Sequence, residues 1–271
     1  MKKHALILLS FITITMFMAS SVFMTSCRKK NSTSDSATFL FHFHTQIIDS
    51  TIGGNVDGYD SNTTGSHNHW YLDSLGRPIE LFVPQFFVSG IVLVNANGST
   101  YSLNNVVVLK GLDSEDYYLC KVPVGTYVSA KFTVGLSSAD DVSPASFITD
   151  GVPYPLQSSM WNGTNYYGMV VTGAYDTSAG ATGINPLPFS FQIPNNLTTQ
   201  YQVVLPARGT ATVPYSVYLA TSGSTNYIHV YCDYGKLLSG IDLKTSNQTS
   251  VNPLIADSLA ARIPSMFRYE Q

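Results

Sequence analysis

From Thr126 to Leu136 the sequence reads TYVSAKFTVGL, and apolar and polar residues alternate along it. Val128, Ala130, Phe132, Val134 and Leu136 fall on one side of an extended chain, with Ser129, Lys131 and Thr133 on the other. Wound into a helix, the same residues would scatter their apolar groups around the whole surface, so this stretch is confined to a half-buried strand. Most of the chain follows the same rule. FFVSGIVLVNANGSTYSL (86–103) reads as a hairpin, with Asn97-Gly98 supplying the positive φ angles of a tight turn. VVVLK, YQVVLP, VPYSVYLA and YIHVYCDY add β-branched and aromatic runs bounded by Gly, Pro, Asn and Ser. One helix is expected near the end, with Asn252 as its cap, Pro253 at its first position and LIADSLAAR as its body. The expected fold is therefore all-β, an antiparallel β-sandwich with one short C-terminal helix, built as a single domain from residues 38–271. The stretch 137–165, rich in Ser, Asp, Pro and Asn, reads as a long functional or capping loop.

The amino terminus carries a different signal. MKKH is basic, ALILLSFITITMFMASSVFM is apolar throughout, and small residues in MTSC lead up to Cys27. Residues 1–26 thus read as a secretory leader of the bacterial lipoprotein kind, in which Cys27 becomes the acylated first residue. An uncleaved anchor is the other reading, because the run is long enough to span a bilayer. Residues 27–37 form a polar tether, and the basic residues after Cys27 point to an outer-membrane anchor facing the periplasm. No basic patch gathers beyond residue 30, which excludes a nucleic-acid binder. No nucleophile elbow, phosphate-cradling loop or His-Glu-x-x-His motif is present, so a non-enzymatic role is expected. NVDGYDSN and DSED offer oxygen ligands but lack the spacing of a calcium loop, and they read as turns. Cys120 and Cys232 read either as a disulfide of an oxidising compartment or as two small buried hydrophobes.

Four of the six histidines sit in two His-x-His pairs. In TFLFHFHTQI (38–47) alternation puts Phe39, Phe41 and Phe43 on the core face and His42 and His44 together on the opposite one. The pair reads as polar surface or as the start of a metal site needing one or two further ligands. Candidate additional ligands are His67, His69, His229 and a thioether from Met160 or Met169. Imidazoles alone suit Zn or Cu(II), whereas an added sulfur tilts the site towards Cu(I). His67 and His69 lie in a stretch of loop composition beside Trp70, and a loop folded over the first strand would bring them to the pair. His229 shares its strand face with Tyr227, Tyr231 and Asp233, the setting of an outward polar residue or of a ligand.

LFVPQFFVSGIVLVNANG, VPVGTYVSAKFTVGLSSADD, SSMWNGTNYYGMVVTGAY, FSFQI and YIHVYCDYGKLL together resemble the MbnP-like domain of periplasmic proteins, a family named for a copper protein of methanobactin operons. The resemblance runs over roughly residues 38–270. It implies a secreted β-sandwich, copper held through histidines, and a tryptophan oxidised to kynurenine by a partner di-haem enzyme. Trp161 lies in the stretch that matches the family's Trp-bearing element, and Trp70 is the other tryptophan. Gln192 stands in FSFQI where relatives commonly carry His, and residues 49–70 look inserted. The expected function is a lipid-anchored extracytoplasmic protein that binds a transition metal, copper first, through strand histidines. The alternative is a metal-free interaction lipoprotein that presents the Tyr- and Asn-rich loops of 154–175, Tyr166 and Tyr167 among them, to a glycan or protein partner.

Overall fold

Three phenylalanines that need cover on one face of the first strand set the plan of the molecule. The computed structural model describes residues 35–48, 55–57, 71–73, 75–103, 106–112, 115–138, 140–141, 160–177, 186–205 and 218–269. The leader with Cys27, the stretch holding His67, His69 and Trp70, and residues 142–159 lie outside these ranges. The chain forms β1 (Ser36–Ile48), β2 (Asn55–Asp57), β3 (Tyr71–Leu72), β4 (Pro78–Asn95), β5 (Thr100–Leu103), β6 (Val108–Lys110), β7 (Glu115–Pro123) and β8 (Gly125–Val134). After the long connection come β9 (Tyr167–Asp176), β10 (Pro186–Pro194), α1 (Asn195–Thr198), β11 (Gln202–Leu205), β12 (Tyr218–Ala220) and β13 (Thr225–Asp233). The chain closes with α2 (Tyr234–Leu238), α3 (Leu254–Arg262), a 3-10 turn (Ile263–Met266) and β14 (Phe267–Tyr269). None of the described helices is long and apolar enough to cross a membrane.

Among the described residues the strands make two sheets, as the sequence predicts. The first has the order β14-β13-β1-β2, with β7 also on β1. The second has the order β10-β9-β4-β8-β11, with β3, β5 and β6 added to β4 and β12 to β8. Strand β4 is the spine of the second sheet, pairing with β9 along Ile79–Phe86 and with β8 along Val88–Asn95. One ladder departs from the antiparallel expectation, since β1 and β13 run parallel. Parallel partners need a long crossover and leave no hairpin signature in the sequence.

The sheets meet through aromatic rings. Phe39, Phe41 and Phe43 are fully buried, as alternation requires. Phe41 packs edge-on against Phe132 of β8 (centroids 5.5 Å apart), Phe43 against Phe86 of β4 (6.1 Å), and Phe39 against Tyr127 of β8 (5.4 Å). The expected face of β8 holds from Ala130 to Val134 and then fails, because Tyr127 is buried where Val128 was assigned. Val94 pairs with Ser129 but Asn95 with Tyr127, so Val128 is an extra residue, a bulge that reverses the alternation. The hairpin after β4 is real, yet its loop is the three residues Ala96–Gly98. Asn95 N–H donates to Ser99 O (2.8 Å), and of the expected pair only Gly98 takes a positive φ (85°).

The C-terminal helix falls on LIADSLAAR. Asn252 receives the Ile255 N–H on its carbonyl (3.2 Å), but its side chain does not cap the helix. Single-turn helices α1 and α2 are too short to show a helical period. Asp233 caps α2 by accepting the Gly235 and Lys236 N–H groups (2.9 and 3.3 Å).

No disulfide joins Cys120 and Cys232. They lie on strands flanking β1 from opposite sides, Cys120 beside Phe39 and Cys232 beside Thr45. Cys232 is instead a buried small group, next to a polar bridge through the interior. Lys110 is fully buried and donates from Nζ to Thr45 Oγ1 (3.0 Å) and to Gly111 O, while Thr45 Oγ1 donates to Leu112 O (2.6 Å). Burial pushes the Cys232 thiol up to about 12 from its ordinary 9.0, with Lys110 lowering it and Asp233 raising it.

Two outcomes follow from this packing. The contribution of the neutral buried thiol is complete below about pH 9 and is lost as pH rises towards 12, because only the unfolded chain ionises there. Urea unfolding of wild type and Cys232→Ala should therefore show a constant stability gap below pH 9. The gap should narrow above it by at most about 1.4 kcal/mol per pH unit. Gly173 gives the second outcome. A Cβ there would stand 2.1 Å from the Glu80 carbonyl and 2.5 Å from the Phe189 ring, so Gly173→Ala should lower unfolding stability by roughly 1–3 kcal/mol or more.

Candidate metal centre

With Phe39, Phe41 and Phe43 turned inward, the intervening residues of β1 face out. The neighbouring strands then decide what stands beside them. The parallel register pairs His42 with His229 and His44 with Tyr231, and the antiparallel register pairs His42 with Asp116 of β7. The outer face thus carries a transverse row Asp116–His42–His229. An adjacent row, Tyr118–Leu40–Tyr227, leaves both tyrosines largely exposed (49% and 41%). Beyond His44, Arg268 of β14 lies over the Tyr231 ring (4.3 Å to its centroid) and donates from Nη2 to Gln46 Oε1 (2.8 Å).

Three imidazoles converge on this face. One ring nitrogen from each of His42, His44 and His229 lies within 4.8 Å of the others. His44 Nε2 and His229 Nδ1 stand 3.3 Å apart with their rings stacked at 18°, and the His42 ring centroid is 4.3 Å from His44 and 4.9 Å from His229. Two nitrogens on one ion at about 2.0–2.1 Å are at most about 4.2 Å apart, so a common ligand point needs only small rotations of these side chains. His42 also hydrogen-bonds through Nδ1 to Asp116 Oδ1, which holds the ring and leaves Nε2 as the nitrogen that could coordinate an ion. The donor set, three half-buried imidazoles with a carboxylate behind one of them, fits a borderline metal such as copper or zinc.

The structure sorts the other candidates. Met169 is fully buried in the main core between the sheets, and Met160 is fully buried in a separate cluster with Phe87, Leu136 and Tyr166, so neither thioether reaches the imidazoles. Trp161 packs on that separate cluster, 4.8 Å from the Tyr166 ring. The cluster lies against Phe87, whose β4 neighbours Phe86 and Val88 point into the main core, so Trp161 sits across the sandwich from the imidazoles. Tyr166 is fully buried and cannot serve as the ligand-presenting residue of the alternative reading. Gln192 belongs to β10 of the second sheet, away from the imidazoles. His67, His69 and Trp70 lie outside the described residues. Asp116 was missed because DSED reads locally as a turn, and only the β1–β7 register places it beside His42.

A family model described as MbnP matches residues 61–253. Among solved structures, MbnP from Methylosinus trichosporium aligns at 14% identity and a TM-score of 0.49, covering 77% of this chain and 80% of that chain. No curated protein matches.

Because the imidazoles stand outside the packed interior, the triple variant His42→Ala/His44→Ala/His229→Ala should fold. Its metal-free stability should lie within about 1 kcal/mol of wild type by denaturant unfolding, the range for residues away from a core or strained backbone.

Proposed function

The chain belongs to the MbnP family, an extracytoplasmic and copper-related group, and from that premise we propose that it binds a transition metal ion, copper first, through His42, His44 and His229. The observation that carries this reading is the meeting of three imidazole nitrogens within 4.8 Å on the outer face of one sheet. His44 and His229 form the close pair, and His42 completes the set with its ring held by Asp116. Copper would bring a redox-active Lewis-acid centre to this face. The residues of the chain hold and orient it, and the protein acts as a binder rather than an enzyme. We place it on a lipid at Cys27, on the periplasmic side of the outer membrane, with a di-haem oxidase as a partner suited to the family.

Chelator-competition titrations of Cu(I), Cu(II) and Zn(II) test the site. Wild type should bind one equivalent, with His42→Ala/His44→Ala and His229→Ala each losing at least 100-fold in affinity. Asp116→Asn should lose about 10–100-fold, the usual effect of removing a carboxylate behind a ligating histidine. Unchanged affinity in His229→Ala would sink the reading. Metabolic labelling with an alkyne fatty acid tests the anchor separately, where incorporation should vanish in Cys27→Ala.

A further inference from the structure

Two opposite charges flank the imidazole cluster from the two sides of its sheet. Asp116 of β7 stands at one end of the row Asp116–His42–His229. The next row runs His44–Tyr231–Arg268 across β1, β13 and β14, and it ends in a cation. The Arg268 guanidinium lies over the Tyr231 ring, 4.3 Å from Cζ to the centroid, and the same ring centroid is 5.2 Å from that of His44. The positive charge is therefore no farther from the His44 ring than these two distances laid end to end. Tyr231 is buried, and a buried ring screens charge far less than water does.

A fixed cation is an unexpected neighbour for a cluster that would hold a metal ion. The guanidinium keeps its charge at every accessible pH. Its partners are neutral, since Nη2 donates to Gln46 Oε1 (2.8 Å) and the Tyr231 ring takes its face. Among the described residues it makes no ion pair, so nothing there cancels the charge. Donor chemistry leaves the choice of ion open, because the three side chains are imidazoles and both candidate thioethers are buried elsewhere. With no soft atom to select Cu(I), charge is left to decide between ions. Two unit charges about 10 Å apart, at an effective dielectric between about 25 and 80, shift an equilibrium by roughly two- to tenfold.

We infer that Arg268 sets the preference of the imidazole cluster between singly and doubly charged ions, holding back Cu(II) and Zn(II) relative to Cu(I). The inference rests on the metal reading of His42, His44 and His229. Repulsion scales with the charge of the ion, so a doubly charged ion loses twice the free energy that a singly charged one loses. Asp116, bonded to the His42 ring, acts in the opposite sense and favours the higher charge. The oxidation state that the cluster prefers is then a balance between a carboxylate on β7 and a guanidinium on β14. Arg268 need not touch the ion to do this, because its field reaches the cluster across Tyr231.

The experiment compares Cu(I), Cu(II) and Zn(II) affinities of the purified protein and its Arg268 variants at about 0.01 M salt, where the screening length is roughly 30 Å. Arg268→Gln should tighten Cu(I) roughly two- to tenfold, and Cu(II) and Zn(II) each by about the square of the Cu(I) factor. Arg268→Lys keeps the charge and should stay within about twofold of wild type for all three ions. In about 1 M salt the gain in Arg268→Gln should shrink towards nothing. The potential of the bound copper couple should fall by about 59 mV for each tenfold change in the Cu(II) to Cu(I) affinity ratio. Arg268→Met, with an unbranched apolar stem, takes the place of the glutamine variant if that one fails to fold. Equal changes for all three ions, a weakening of any of them, or a lysine variant that behaves like the glutamine one would overturn the inference while leaving the metal site standing. A wild type that binds none of the three ions would overturn the metal reading itself, and this inference with it.

Discussion

The parallel ladder between β1 and β13 is the contact on which the outer face depends. Its register is not set by the histidines. Phe39, Phe41 and Phe43 on one strand and Ile228 and Val230 on the other must all turn inward, and a shift of one residue would point every side chain of the shifted strand to the wrong face. Once the apolar residues are buried in step, His42 and His229 are opposite each other and His44 stands one row along. The hydrophobic effect thus places the three imidazoles, and hydrogen bonding then refines them, through Asp116 on His42 and through the His44–His229 contact.

Much of the fold is legible in the sequence because alternation is a local property. The inward phenylalanines, the hairpin at Asn97-Gly98 and the helix at LIADSLAAR can each be read from fewer than twenty consecutive residues. What escapes is non-local or irregular. His44 and His229 are 185 positions apart, and no local pattern states which residues of two parallel strands will be neighbours. The bulge at Val128 adds one residue to β8 and reverses its faces, which alternation alone cannot foresee. Asp116 sits in an acidic run that looks like a turn until β7 is laid beside β1. The methionines fail as ligands for a simpler reason, because both are fully buried in apolar clusters, where a soft, unbranched side chain fills core space.

Family membership and the imidazole cluster bear on function from different directions. The matched segment, residues 61–253, includes His229, while His42 and His44 precede it on β1. The cluster therefore rests on the physical register of this chain, and the family supplies the copper context. Trp161 illustrates the same separation. It packs on the outer face of the second sheet, so an oxidation there and a metal on the first sheet would be distinct events on opposite sides of the sandwich.

The most direct measurement is an anomalous difference map, recorded at the copper absorption edge, from a crystal of the protein loaded with one equivalent of copper. A single strong peak within bonding distance of ring nitrogens from His42, His44 and His229, with Asp116 still bonded to the His42 ring, is the predicted result. A peak ligated by other residues, with the three imidazoles left as they stand, would contradict the account.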